Sequence, residues 1–178
     1  LQLCLMTAQI ANGGYKIKPK IIVNNKPLNF AEAKKAMEEQ KLFNSNNQLF
    51  KDQKNIKIVQ EAMFSSTNER YGTSYRSRID DPKYQFAGKT GTAQVKRISK
   101  RERELDLKLE DIPYNDRDHA LYVAYGPYKK PRYALSIIVE HGGSGSKAAA
   151  PMAKELFKLI IDRNELRNKQ SNYEEVDI

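Results

Sequence analysis

The stretch Phe86-Ala87-Gly88-Lys89-Thr90-Gly91-Thr92-Ala93-Gln94 decides how this chain is read. It reads as a strand carrying Lys-Thr-Gly-Thr, a cation and two hydroxyls beside a glycine. Gly91 has no side chain, so a peptide can approach the strand backbone closely. An exposed edge can then take that peptide as an added strand. Strict alternation puts Lys89 opposite Thr90. Both can serve one ligand only if the strand lies at an edge, exposing its rim as well as one face.

Downstream, Ala120-Leu121-Tyr122-Val123-Ala124-Tyr125-Gly126-Pro127-Tyr128 and Tyr133 to Glu140 continue the strand signal. The three strands are expected at about 84–96, 118–126 and 132–140, with Gly126 to Pro131 as the turn joining the last two. Leu135-Ser136-Ile137-Ile138-Val139 is nearly all apolar, which predicts a strand covered on both faces. The charged stretch Lys96–Asp118 is expected to be a long loop or surface insertion. After His141-Gly142-Gly143-Ser144-Gly145 a helix is predicted from about Lys147 to Arg163, with Met152, Leu156, Leu159 and Ile160 as its apolar stripe. Residues 164–178 are polar and expected to be a frayed, disordered tail.

Upstream, residues 1–12 have apolar positions at helical spacing, and Asn12-Gly13-Gly14 is a helix stop. Residues 15–23 alternate and look extended, with Ile17, Ile21 and Val23 as candidate buried positions. Residues 24–51 are polar, with one short helical patch near Ala31–Gln40. A second helix is predicted over 55–70, with Ile56, Val59 and Met63 on one stripe. Ser65 through Ser77 reads as a polar, Arg-containing loop.

The chain has 178 residues, enough for one domain with a real core. Its net charge of +9 comes from 31 Lys plus Arg against 22 Asp plus Glu. That charge is dispersed and no nucleic-acid motif accompanies it, so a basic nucleic-acid-binding domain is the weakest function class. The single cysteine, Cys4, excludes an intramolecular disulfide and reads as a small core residue. No run is long enough to span a bilayer and none looks like a signal peptide. Starting at Leu1 in mid-helix pattern, the sequence looks like a piece of a longer protein.

In order and spacing, the Lys-Thr-Gly strand and the three downstream segments closely resemble the C-terminal part of the class B penicillin-binding proteins, within them the elongation-type D,D-transpeptidases. The resemblance covers residues 1–15 and about 55–163, not 24–54, 97–117 or 164–178. It implies an α+β domain, the C-terminal part of the serine β-lactamase/transpeptidase-like fold, with an antiparallel sheet of three strands here and flanking helices. By resemblance, Lys89 and Thr92 are catalytic, and Lys89, Thr90, Gly91 and Thr92 bind substrate. The implied partners are a peptidoglycan stem peptide ending in D-Ala-D-Ala, β-lactam antibiotics in the full-length protein, and the N-terminal half of the same domain. No cofactor and no metal are implied. The implied location is the bacterial envelope, on the periplasmic side of the inner membrane.

Acyl transfer from such a peptide needs a nucleophile, a base, a cation for the terminal carboxylate and donors for the oxyanion. Lys89 supplies the cation, whose field draws the carboxylate. The hydroxyls of Thr90 and Thr92 are donors to it. The backbone N–H of Thr92 is, by resemblance, one oxyanion donor. The family's nucleophile is the serine of Ser-x-x-Lys. Only Ser144-Gly145-Ser146-Lys147 has that spacing, and it falls after the apolar strand, in the wrong order; a turn entering a helix is the simpler reading. Ser45-Asn46-Asn47 is misplaced for the Ser-x-Asn element. The chain is therefore expected to carry the substrate-binding strand without the acylated serine. The alternative is a non-catalytic remnant, an interaction module that binds another wall-synthesis protein. Asp116, Asp118 and His119 read as surface groups rather than a metal site. Gly142 to Lys147 fails the phosphate-loop spacing.

Overall fold

A computed structural model describes residues 1–19, 35, 47–97 and 108–174, with side chains to residue 166. The first helix, α1, spans Gln2–Ala11. Asn12 ends it, its Oδ1 accepting from the N–H groups of Gly14 and Tyr15 at 3.2 and 2.9 Å. Gly13 and Gly14 take φ of 90° and 89°, backbone that a side chain would strain. Tyr15 then bridges to Gln48, so the extended reading holds at its start. Ile17 is half-buried, whereas Ile21, Val23 and the helical patch Ala31–Gln40, Lys35 apart, lie outside the described residues.

The second helix, α2, spans Gln53–Asn68, capped by Asp52, which accepts from the Lys54 N–H at 2.8 Å. Ile56, Met63 and Thr67 are buried on one stripe, but Val59 is 40% exposed. Gln60 takes the inward place, its Nε2 donating to the Ile10 carbonyl at 2.7 Å. A free helix end on α1 needs a donor there, and a valine has none to give. The expected loop at 65–77 also differs in part. Residues 65–68 complete α2, and the chain then doubles back into a short 3-10 turn at Tyr75–Ser77.

The sheet has three antiparallel strands: β1 (Ala87–Ala93), β2 (His119–Gly126) and β3 (Tyr133–Val139), in the order β1-β2-β3. Thr90 faces Tyr122 and then Ile137 across it, and Lys89 faces Val123 and then Ser136. Alternation divides the core between the two faces. On one face Phe86, Ala120, Tyr122 and Ala124 pack with Ala149, Ala150, Ala153, Phe157 and Ile161. On the other, Ala87 and Tyr125 pack with Met63, Ile10, Ala11 and Phe64. Helices thus cover a mainly apolar sheet, an α+β arrangement. β3 is not covered as expected: Ile138 is 57% exposed and its other residues are only half-buried.

A π-helical turn, Gly145–Ala149, leads into the last helix, α3, at Ala150–Glu174. It runs past the predicted end at Arg163, and residues 175–178 lie outside the described ones. Its buried stripe is Ala150, Ala153, Phe157 and Ile161, not the predicted one. Met152, Leu156 and Leu159 are 49%, 40% and 67% exposed, and Ile160 is half-buried. Alanines win the inward face because a helix can then lie close on the sheet, which leucines would hold off. Among the described residues no helix is long and apolar enough to cross a membrane.

Candidate active site

Among the described residues β1 pairs with β2 alone, so its far side is an edge. Along an antiparallel strand, every second residue turns its backbone groups away from the partner. Here these are the even-numbered ones. The Phe86 carbonyl accepts from Asn68 Nδ2 at 2.9 Å and the Gly88 carbonyl from Thr67 Oγ1 at 3.4 Å, both on α2. The next carbonyl, of Thr90, lies beyond α2 and accepts from Lys89 Nζ at 2.9 Å. The same alternation turns the Thr92 N–H outward. Among the described residues the edge is therefore closed by α2 at its start and open from Thr90 onward.

Lys89 and Thr92 are exposed, and Thr90 and Gly91 are half-buried. Lys89 leaves β1 on the face opposite Thr90, yet its Nζ reaches 3.3 Å from Thr90 Oγ1. A four-carbon stem is long enough to wrap the rim of an edge strand. No carboxylate pairs with Lys89 among the described residues, so its charge is held by neutral oxygens only. A Cβ built on Gly91 would meet Leu121 Cβ at 3.4 Å. Gly145 packs against the carbonyls of Leu121 and Gly91, which seats the turn into α3 directly on the strand.

Beneath the strand lies a group of hydroxyls whose coming together the sequence did not foretell. Tyr122 OH is 2.9 Å from Thr67 Oγ1 and 3.1 Å from Ser74 Oγ, and those two are 3.2 Å apart. All three residues are buried. Burial pushes the Tyr122 hydroxyl's pKa up, and its bonds to Ser74 and Thr67 oppose that. Gly88 passes directly over the Tyr122 hydroxyl, with no room for a side chain. Above this group, Thr73 Oγ1 is 3.1 Å from Thr90 Oγ1 and 3.3 Å from Ser66 Oγ. The available signal was the run Ser65-Ser66-Thr67 returning as Thr73-Ser74 across Gly72. Small hydroxyls flanking a glycine mark a chain that folds back on itself.

The other candidate groups make no hydrogen bond to Lys89, Thr90 or Thr92 among the described residues, although the turn that holds Ser144 to Lys147 packs on the strand through Gly145. Ser144 Oγ and Ser146 Oγ lie 3.0 Å apart in the turn into α3, where Lys147 and Gly142 also stand. Asp116 pairs with Lys96, and Asp118 accepts from the Val95 N–H at 3.2 Å. His119 Nδ1 accepts from the His141 N–H at 2.9 Å. Each member of that loop trio thus has a separate partner.

An antiparallel sheet between helices in this order is the arrangement of a known domain class. The model of the penicillin binding protein transpeptidase domain matches residues 1–158, and this chain belongs to that family. It is similar to the peptidoglycan D,D-transpeptidase MrdA of Acinetobacter baumannii, 33% identical over 177 residues, covering 97% of this chain and 24% of that protein. MrdA of Salmonella typhimurium is 36% identical over 105 residues, covering 59% of this chain and 16% of that protein. Among solved structures, penicillin-binding protein PBP2 of Helicobacter pylori in complex with MreC superimposes with a TM-score of 0.59 at 30% identity, over 89% of this chain and 24% of that one. PBP2 of Pseudomonas aeruginosa in complex with WCK 5153 gives 0.57 at 27% identity, over 86% of this chain and 28% of that one. The chain thus spans about a quarter or less of the length of these relatives.

Proposed function

We propose that residues 1–163 are the C-terminal portion of a serine-type D,D-transpeptidase domain that cross-links peptidoglycan on the periplasmic side of the inner membrane. The observation that carries this is the Lys89 cation, without a carboxylate partner among the described residues and curled over the rim of β1 beside the Thr90 hydroxyl and the open edge. Three charge-assisted contacts suit a peptide's terminal carboxylate there: Lys89 Nζ, Thr90 Oγ1 and Thr92 Oγ1. The substrate would lie along the open edge as an added strand, and its scissile carbonyl would take the Thr92 N–H as one oxyanion donor. An anionic carboxylate displaces the Thr90 carbonyl as the partner of Lys89 because it is the stronger acceptor. The serine that is acylated would come from the N-terminal half of the same domain, outside this sequence, so the fragment alone binds but does not react. β-Lactams would occupy the same edge in the full-length protein.

Labelling with a fluorescent penicillin tests this. The full-length protein from the gene that encodes this chain should give one band that survives denaturation, and the isolated chain none. A covalent adduct on a serine of this chain would refute the division of labour. A full-length protein that never labels would leave the interaction-module reading in its place.

A further inference from the structure

We infer that Thr73 is a positioning residue for the carboxylate site, acting through Thr90; this rests on the function proposed above. A threonine hydroxyl has one hydrogen and two lone pairs. For Thr90 to donate to a carboxylate, its hydrogen must be free, and both neighbouring groups must donate to its oxygen. Lys89 Nζ, 3.3 Å away, can only donate. Thr73 Oγ1, 3.1 Å away, decides the matter. If Thr73 donates, the Thr90 oxygen is filled and its hydrogen points to the site. If Thr73 accepts, that hydrogen is used up inside the protein.

The surroundings permit the first direction. Ser66 Oγ stands 3.3 Å from Thr73 Oγ1, so Thr73 can accept there while it donates to Thr90. The chain Ser66, Thr73, Thr90, ligand then runs one way, and each bond polarises the next. An anion at its far end favours that order over the reverse. The scaffold that holds Thr73 between the two is explicit. Ser74 N–H and Ser74 Oγ each donate to the Ser66 carbonyl at 3.0 Å. Gly72 lies against the carbonyls of Ser65 and Ser66, too close for a Cβ. Ser74 is fastened below to Tyr122 and Thr67. Thr73 is itself exposed, so its hydroxyl is placed for the site and not for the core.

The test compares acylation of the full-length protein by benzylpenicillin and by its uncharged methyl ester. Thr73→Val keeps the shape and removes the hydroxyl. Its acylation rate constant with the free acid should fall about tenfold, the effect of one such bond. Thr73→Ser should restore it to within about twofold of wild type. With the ester, Thr73→Val and wild type should react alike, because the orientation of the Thr90 hydrogen serves only the carboxylate. A loss of equal size for acid and ester would overturn the inference, since that is the mark of a general distortion. So would a wild-type rate for Thr73→Val with the acid while Lys89→Ala is slow. If Lys89→Ala also reacts at the wild-type rate, the carboxylate site itself is misplaced and the role of Thr73 falls with it.

Discussion

Lys89 and Thr90 start on opposite faces of one strand, yet the Lys89 ammonium lies 2.9 Å from the Thr90 carbonyl and 3.3 Å from its hydroxyl. Adjacent residues in a strand cannot normally meet through their side chains. They meet here because β1 has no strand beyond it among the described residues and the lysine can pass around the rim. A cation and a hydroxyl donor thereby converge on one point from consecutive positions.

Lys89→Ala in the full-length protein should slow acylation by a penicillin about a hundred- to a thousand-fold, the range found for losing one preorganised group at a developing charge. The side chain is exposed and its partners are neutral, so stability should move by less than about 0.5 kcal/mol. Rate constants and melting curves on the same preparation settle both. An unchanged rate would make Lys89 an ordinary surface lysine.

Two tyrosines on β2 should respond oppositely to loss of the hydroxyl. Tyr122→Phe takes one buried partner from Thr67 and from Ser74, which keep their bonds to each other and to the Gly88 and Ser66 carbonyls, and should cost about 1 kcal/mol. The hydroxyl of Tyr125 is buried with no hydrogen-bond partner among the described residues. Tyr125→Phe removes that orphan and should be neutral or stabilising by about 1 kcal/mol. Denaturant titration of the two variants decides it; equal losses would contradict the bonding described.

Asp162 ties α3 to the segment before β1. Its Oδ1 accepts from Tyr84 OH at 2.6 Å and from Lys83 Nζ at 3.0 Å. The Tyr84 bond first, then the Lys83 bond, hold its carboxyl below the ordinary value of 3.8. A carboxyl whose folded pKa is depressed stabilises fully above its unfolded value and loses that contribution as pH falls through the folded one. The melting-temperature gap between wild type and Asp162→Ala should therefore be constant above about pH 5 and close below the ordinary carboxyl pKa. A gap that persists unchanged in strong acid would mean that the charge is not what Asp162 contributes.

The outer side of β3 carries no strand among the described residues, and Ile138 on it is 57% exposed. Unpaired backbone beside apolar surface favours association. The isolated chain should be partly unfolded or self-associating, seen as concentration-dependent elution on size exclusion and fast amide exchange over 133–139. A sharp monomer with a protected β3 would show that the chain closes its own core.

The order of strands and helices was legible in the sequence because it rests on period and punctuation: the apolar runs at Ala120–Tyr125 and Leu135–Val139, the stop at Asn12-Gly13-Gly14, the turn after Gly126. The inward face of α3 was not. Ranking by hydropathy selects Met152, Leu156 and Leu159, whereas the sheet accepts the small Ala150 and Ala153. Gln60 displaced Val59 for a similar reason, since a bare carbonyl on α1 needed a donor that no hydropathy scale counts. At the site, the residue types Lys89, Thr90, Gly91 and Thr92 could be read locally. Thr73, Ser74, Thr67 and Tyr122 could not, because their bonds join segments brought together only by the doubling back at Gly72.

The inner face of the π-helical turn and of α3 after it grows in bulk along the chain, from Gly145 and Ala149 in the turn through Ala150 and Ala153 to Phe157 and Ile161. Packed on a sheet, such a series is a wedge, thin at one end and thick at the other. The thin end rests on Gly91. Enlarging a residue there, as in Ala149→Val, would prise the turn from the strand beside the proposed carboxylate site, whereas the same added volume beside Ile161 would be taken up far from it. Sensitivity of the reaction to substitution in this helix should therefore follow a gradient, steepest at its first turn.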